Sequence, residues 1–188
     1  MLDHFDLIAS IYDRLMGPPD INYLRDVLKL PTNGWLLDGG GGTGRVSSHL
    51  NNLVGNIVVM DLSLKMLKKA QLKNANPVRA LVERLPFADG FFDRVLVVDA
   101  LHHFCSQQEA IGDLIRVLKP GGRLVIEEPD LNQSGVKILA LIEKLALMRS
   151  QFYTPQQIRD MIESYGSSAT IEGNGRYTAW IIADKCKS

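Results

Sequence analysis

The sequence predicts a doubly wound α/β sheet of seven strands that ends in an antiparallel hairpin. Three observations carry this. Short apolar strand patterns alternate with helical ones, which is how a mostly parallel sheet with helices on both faces reads. A glycine run follows the first strand, at Asp38-Gly39-Gly40-Gly41-Gly42-Thr43-Gly44. The last two strand patterns are joined by Gly173-Asn174-Gly175, a connection too short for anything but an antiparallel pair.

The elements follow in order. Phe5, Ile8, Tyr12 and Leu15 recur at helical spacing up to Gly17-Pro18-Pro19, and Asp20 is placed to cap a second helix with the stripe Ile21, Leu24 and Leu28. Strands are expected at Trp35–Leu37, Ile57–Met60, Val78–Val82, Arg94–Val98 and Arg123–Ile126. The glycine run is expected to open a helix, and Ser63 to cap the next one. Ser106-Gln107-Gln108-Glu109 and Thr154-Pro155-Gln156-Gln157 both read as capping boxes. The helix behind the second would bury Ile158, Met161, Ile162 and Tyr165 and end at Gly166. Lys119-Pro120-Gly121-Gly122 should break the preceding helix and turn the chain into the fifth strand. The closing strands are expected near Ala169–Glu172 and Tyr177–Ala183.

Composition bounds the function. A chain of 188 residues with 46% hydrophobic and 22% charged residues fits one globular domain over 1–188. Lys plus Arg balances Asp plus Glu at 21 each, so no field is expected to draw nucleic acid or an anionic membrane. Two cysteines, Cys105 and Cys186, support neither a disulfide framework nor a four-cysteine metal site. With no apolar run long enough to cross a bilayer and no secretory pattern, a cytoplasmic protein is expected.

Glycines let a backbone approach a ligand closely, and a following helix N-terminus offers N–H groups to an anion. Two registers fit the run: Gly39, Gly41 and Gly44 for a dinucleotide, or Gly40, Gly42 and Gly44 for the methionine end of S-adenosylmethionine. Asp61, ending the second strand, stands where a carboxylate grips ribose hydroxyls. Met66 in the next helix reads as core. Asp99-Ala100-Leu101-His102-His103 follows the fourth strand at the sheet edge where such folds bind ligands. His102 or His103 is a candidate general base, which would give a rate rising with pH through neutrality. Glu127, Glu128 and Asp130 are rival bases on the same edge. A zinc site on His102, His103 and Cys105 lacks a second ligand cluster, so no metal is expected.

LLDGGGGTGR, VVMDLSLKML, VERLPFADGFFDRV, DALHHF and RVLKPGGRLVIEEP, in this order and spacing, resemble the successive motifs of the UbiE/COQ5-like (type 11) class I methyltransferases. FDLIASIYD and FYTPQQIRDMIESYG resemble that family's N-terminal and penultimate helices. The resemblance implies a Rossmann-like domain with N-terminal helices over 1–30 and a small cap insertion over 131–153. It implies S-adenosylmethionine as cofactor, yielding S-adenosylhomocysteine. Gly40, Gly42, Thr43 and Gly44 would cradle the methionine moiety and Asp38 would orient it. Asp61 would hold the ribose, Leu62 and the Leu81-Val82-Glu83 segment would flank adenine, and Asp99 would line the site. Tyr12 would close over the cofactor. The sequence departs from the family where Leu81 stands in place of an Asp and Val82 in place of an Ala.

The expected partner is a small, apolar methyl acceptor under the Ser134–Ser150 helix, whose Val136, Ile138, Leu139, Leu141 and Leu145 are too many for one stripe. That helix would alternatively face a second copy in a homodimer. Two other functions fit parts of the pattern. An NAD(P)-binding oxidoreductase shares the glycine loop and strand-end acid but leaves LKPGG and the terminal hairpin unexplained. A non-enzymatic S-adenosylmethionine binder would tolerate Leu81.

Overall fold

The structure, a computed structural model, describes residues 18–132, 151–173 and 178–187. Seven strands run in chain order: β1 Thr32–Gly39, β2 Val54–Asp61, β3 Asn76–Arg79, β4 Phe92–Val98, β5 Leu118–Pro129, β6 Ser168–Gly173 and β7 Thr178–Asp184. They form one sheet in the order β3-β2-β1-β4-β5-β7-β6. The first five pair in parallel; β7 pairs antiparallel with both β5 and β6. The expected sheet and hairpin are both there. The strand order reverses between β1 and β4, which opens a crevice at their carboxyl ends.

Among the described residues, four α-helices flank it: α1 Ile21–Val27, α2 Leu64–Leu72, α3 Gln107–Val117 and α4 Pro155–Glu163. Because side chains alternate along a strand, neighbouring residues serve opposite faces. Leu36, Val59, Leu96, Val125 and Trp180 pack with Leu24 and Leu28 around α1 and with Leu67 and Ala70 of α2. Leu37, Met60, Val95, Ile126 and Ile181 pack with Ile111 and Leu114 of α3 and Ile158 and Ile162 of α4. Each such side chain is worth about 1.5–3 kcal/mol when fully buried. Met66 is in the core, as read.

The helix starts follow their caps. Asp20 accepts the Tyr23 N–H, Ser63 that of Met66, and Thr154 and Gln157 form the complete reciprocal box. At α3 only half a box forms: Ser106 accepts the Glu109 N–H at 3.5 Å. Tyr165 lies outside the core at 41% exposure, its hydroxyl donating to the Gln108 carbonyl. Gly166 (φ 76°) ends that helix as read.

Three further expectations are corrected. The glycine run does not lead into an α-helix; turns and one 3₁₀ turn, Ser47–Leu50, follow it. β3 stops at Arg79, and Val82 sits in a 3₁₀ turn, Val82–Arg84, with its side chain in the core. Lys119-Pro120-Gly121-Gly122 belongs to β5 rather than preceding it. There the register jumps from Phe92↔Leu118 to Arg94↔Arg123, a bulge that Gly121 permits with φ 74°. The bulge is locked by Gly121 N–H to Lys185 O and Lys185 N–H to Gly122 O. The Lys185 ammonium in turn donates to the carbonyls of Ile115, Arg116 and Leu118, closing the end of α3.

Candidate active site

The carboxyl ends of β1, β2, β4 and β5 gather most of the residues singled out in the sequence. Beneath the glycine loop lies Asp38, 2% exposed, whose Oδ2 has no hydrogen-bond partner. Burial pushes its carboxyl up to about 6; the Ser47 hydroxyl pulls it down, Asp61 pushes it further and Arg45 opposes. The loop leaves no room for side chains on its inner side. A Cβ at Gly40 would meet Ala100 Cβ at 2.7 Å, and one at Gly41 would strike the Asp38 carboxyl. At Gly42 (φ 54°) a Cβ would meet only Asp61, at 3.9 Å, so the loop is open on that side.

Asp61 closes the other edge. One oxygen accepts the Gly42 N–H at 3.0 Å and the other the Ser63 N–H at 2.7 Å. The carboxylate thereby ties the end of β2 to the glycine loop. Thr43 is fully buried, with the Lys73 ammonium 3.4 Å from its hydroxyl. Leu62 and Leu81 are each about half exposed, at 47% and 46%. The Glu83 carboxylate accepts the N–H groups of Cys105 and Ser106, so it braces the segment leading into α3.

Asp99 follows β4 with φ 53°, a left-handed conformation that is uncommon for a non-glycine residue. Its N–H donates to the Glu127 carbonyl at 2.9 Å, which joins the two strand ends. Beyond it, His102 is buried, and its Nδ1 lies 2.6 Å from Glu128 Oε2. Glu128 Oε1 accepts the N–H groups of Ala100 and Leu101. The His102 ring stacks on Phe152, with centroids 4.5 Å apart, and its carbonyl accepts the Gln151 N–H. The His103 ring lies 4.0 Å away. Burial, and to a lesser degree His102, pushes His103 down to about 3, so His103 stays neutral at physiological pH and supplies no titration near neutrality. Among the described residues no three His, Cys, Asp or Glu side chains converge on a metal position. Tyr12 and the Ser134–Ser150 helix lie outside the described residues.

A cavity of about 420 Å³ opens on the α1 face beside Asp99. Tyr23, Arg45, Glu127 and Trp180 line it. Glu127 is one of the rival bases the sequence offers. Nothing in the local pattern marks Tyr23 or Trp180, whose spacing matches ordinary core positions, and Arg45 simply follows the glycine run. Burial, then the Asp99 charge, pushes the Glu127 carboxyl up to about 7, against the pull of Arg45 and Thr178.

Residues 37–126 match the family described as "Methyltransferase domain". A ubiquinone/menaquinone biosynthesis C-methyltransferase of Erwinia tasmaniensis is 36% identical over 104 residues, half of this chain and 41% of that protein. The chain therefore spans about two fifths of the length of the curated relatives it matches. Among solved structures, a Haloferax volcanii complex between a methyltransferase and the Trm112 activator superposes with a TM-score of 0.81. It is 16% identical and covers 99% of both chains. An S-adenosylmethionine-dependent methyltransferase of Aquifex aeolicus gives 0.75 at 18% identity, over 98% of this chain and 99% of that one. The solved structures show the fold, and residues 37–126 match the methyltransferase-domain family and are similar in sequence to the UbiE C-methyltransferases.

Proposed function

We propose that the chain transfers the methyl group of S-adenosylmethionine to a small-molecule acceptor. The observation that carries this is Asp38: a buried carboxylate with an unpartnered oxygen, under a glycine loop open only toward Asp61. Leaving a buried acceptor unpaired costs about 1–3 kcal/mol, more for a charged group, so such an atom marks a missing partner. The cationic ammonium of a methionine moiety suits it. The residues present fit the cofactor in other respects. Gly40, Gly42, Thr43 and Gly44 shape its cradle, Asp61 is set to take the ribose hydroxyls, and the exposed Leu62 and Leu81 offer apolar surface to adenine. Val82 and Glu83 support that wall from the core and from α3. An oxidoreductase reading finds no support in the family match.

S-adenosylmethionine supplies an activated methyl on a sulfonium, so the protein's task is alignment and exclusion of water. Histidine catalysis loses ground to Glu127. His102 is spent on Glu128 and Phe152 as a joint between the sheet and the segment entering α4, and His103 is too weak a base. Asp99 positions the cavity wall through its bond to the Glu127 backbone.

The test is thermal melting with S-adenosylhomocysteine, S-adenosylmethionine or NADH. At 100 times its dissociation constant a ligand adds about 2.7 kcal/mol. The adenosyl compounds should raise the melting temperature and NADH should not; the reverse pattern rejects the reading. Asp61→Asn keeps the shape but weakens the ribose contacts. It should lower cofactor affinity at least tenfold with circular dichroism unchanged.

A further inference from the structure

The sequence led to an apolar acceptor, on the strength of residues 134–150 and the zero net charge. The described cavity has a different chemistry. It lies between the carboxyl ends of β4 and β5, the start of β7 and the start of α1. One wall is aromatic: Tyr23 and Trp180 meet edge to face at 4.9 Å, fixed by the Tyr23 hydroxyl donating to Glu172 at 2.9 Å. The charged part of the lining is acidic on balance, Asp20, Asp99, Glu127 and Glu128 against Arg45, and prolines, Leu24 and Val98 also line it. Two of these acids are committed to the protein itself. Asp20 caps α1, and Glu128 is saturated by Ala100, Leu101 and His102. Asp99 and Glu127, the latter also drawing on Thr178 and Arg45, carry the remaining acidic charge of the lining.

Resting on the methyltransferase reading above, we propose that the acceptor is an amine, entering as an ammonium between Asp99 and Glu127 with its apolar body against Tyr23 and Trp180. Burial, and then repulsion from Asp99 across the same cavity, keeps a proton on Glu127 when no ligand is bound, its carboxyl standing at about 7. An ammonium takes the place of that proton and makes charge-assisted hydrogen bonds, while the aromatic wall attracts the cation through its π faces. Arg45 offsets part of the negative charge but not all of it. A phenolate, carboxylate or phosphate at the same place would face the acids and meet repulsion. A metal ion does not explain the arrangement either, since no three potential ligands converge among the described residues.

The transfer balances with no further reagent. The bound ammonium gives one proton to Glu127, and the freed nitrogen lone pair forms the N–C bond to the methyl. The C–S bond breaks with its electron pair going to sulfur, the product leaves as the N-methylammonium, and the Glu127 proton passes to solvent. Glu127 touches the reacting nitrogen in this scheme and acts as its base.

The experiment is calorimetric titration of the whole chain, saturated with S-adenosylhomocysteine, at pH 8. Three probes share one body: phenethylamine, 2-phenylethanol and phenylacetate. Phenethylamine should bind at least tenfold more tightly than the alcohol, and phenylacetate should not bind. In Glu127→Gln the preference for the amine should fall at least tenfold while S-adenosylhomocysteine affinity stays within twofold. Equal binding of amine and alcohol, tighter binding of phenylacetate, no binding of any probe, or an undiminished preference in Glu127→Gln would each overturn the amine proposal while leaving the methyltransferase reading intact. Failure of S-adenosylhomocysteine itself to bind would remove that reading, and this one with it.

Discussion

Glu127 and Glu128 are chemically identical neighbours at the end of β5, yet the pleat sends them to opposite faces of the sheet. On the α3 and α4 face, Glu128 is 4% exposed and both of its oxygens are engaged by His102, Ala100 and Leu101. On the α1 face, Glu127 borders a cavity, near Asp99, and is pushed up to about 7. Burial alone therefore does not decide what a carboxylate does. A carboxylate whose two oxygens are taken by backbone N–H groups and a histidine ties strand ends together; one that borders a cavity beside a second acid keeps its proton to higher pH.

Mutation of the satisfied residue should show the largest effect. Glu128→Ala leaves two backbone N–H groups and His102 without their acceptor, and breaking such a buried pair typically costs about 3–5 kcal/mol. Chemical denaturation should show a loss of that order; a loss below about 1 kcal/mol would mean that the bridge between the β4 and β5 ends is dispensable. His102→Phe keeps a ring stacked on Phe152 and deletes only the Nδ1 partner. It should cost less, about 1–3 kcal/mol, and a cost equal to that of Glu128→Ala would show that the stacking had been perturbed as well.

Glu127→Gln should have an effect of the opposite sign, confined to higher pH. The folded protein holds a proton on Glu127 up to about 7, while the unfolded chain releases it near the ordinary value of 4.5. Between these two pH values the native state binds more protons, so this group's contribution to wild-type stability falls as pH rises. The variant lacks that dependence. It should match the wild type below about pH 4.5 and become the more stable protein by up to about 3 kcal/mol above pH 7. Paired melting curves across pH 4 to 8 provide the check. A variant less stable at every pH would place Glu127 among the structural carboxylates, beside its neighbour.

The same distinction governs how much could be read from the sequence. Strand alternation, the Asp20, Ser63 and Thr154 caps and the terminal hairpin are local patterns, and they were legible. The glycine loop and Asp61 were legible too, because their spacing follows directly from a strand entering a turn. What escaped depended on contacts distant in sequence. Whether β6 or β7 would lie against β5 is decided by which strand buries Trp180 and Ile181, and alternation does not encode it. The Lys119-Pro120-Gly121-Gly122 segment looks like a turn by composition, but pairing with Lys185 makes it a bulged strand. Tyr165 fits the helical stripe, yet α4 is too short to carry it into the core. Arg45, Tyr23, Glu127 and Trp180 come from four separate parts of the chain, and only folding reveals that they share a cavity.

Lys185 has a consequence for how the molecule opens. Its ammonium, held below its ordinary pKa chiefly by burial, occupies three carbonyls at the end of α3, and its backbone clasps Gly121 and Gly122. The outer hairpin therefore cannot peel away from β5 without also fraying the last turn of α3, as those carbonyls would be left without donors. Two elements about 70 residues apart in sequence thus belong to one cooperative unit. Amide hydrogens at the end of α3 and along β7 would exchange together rather than separately, and a cap on one lysine side chain, such as acetylation, would loosen both at once.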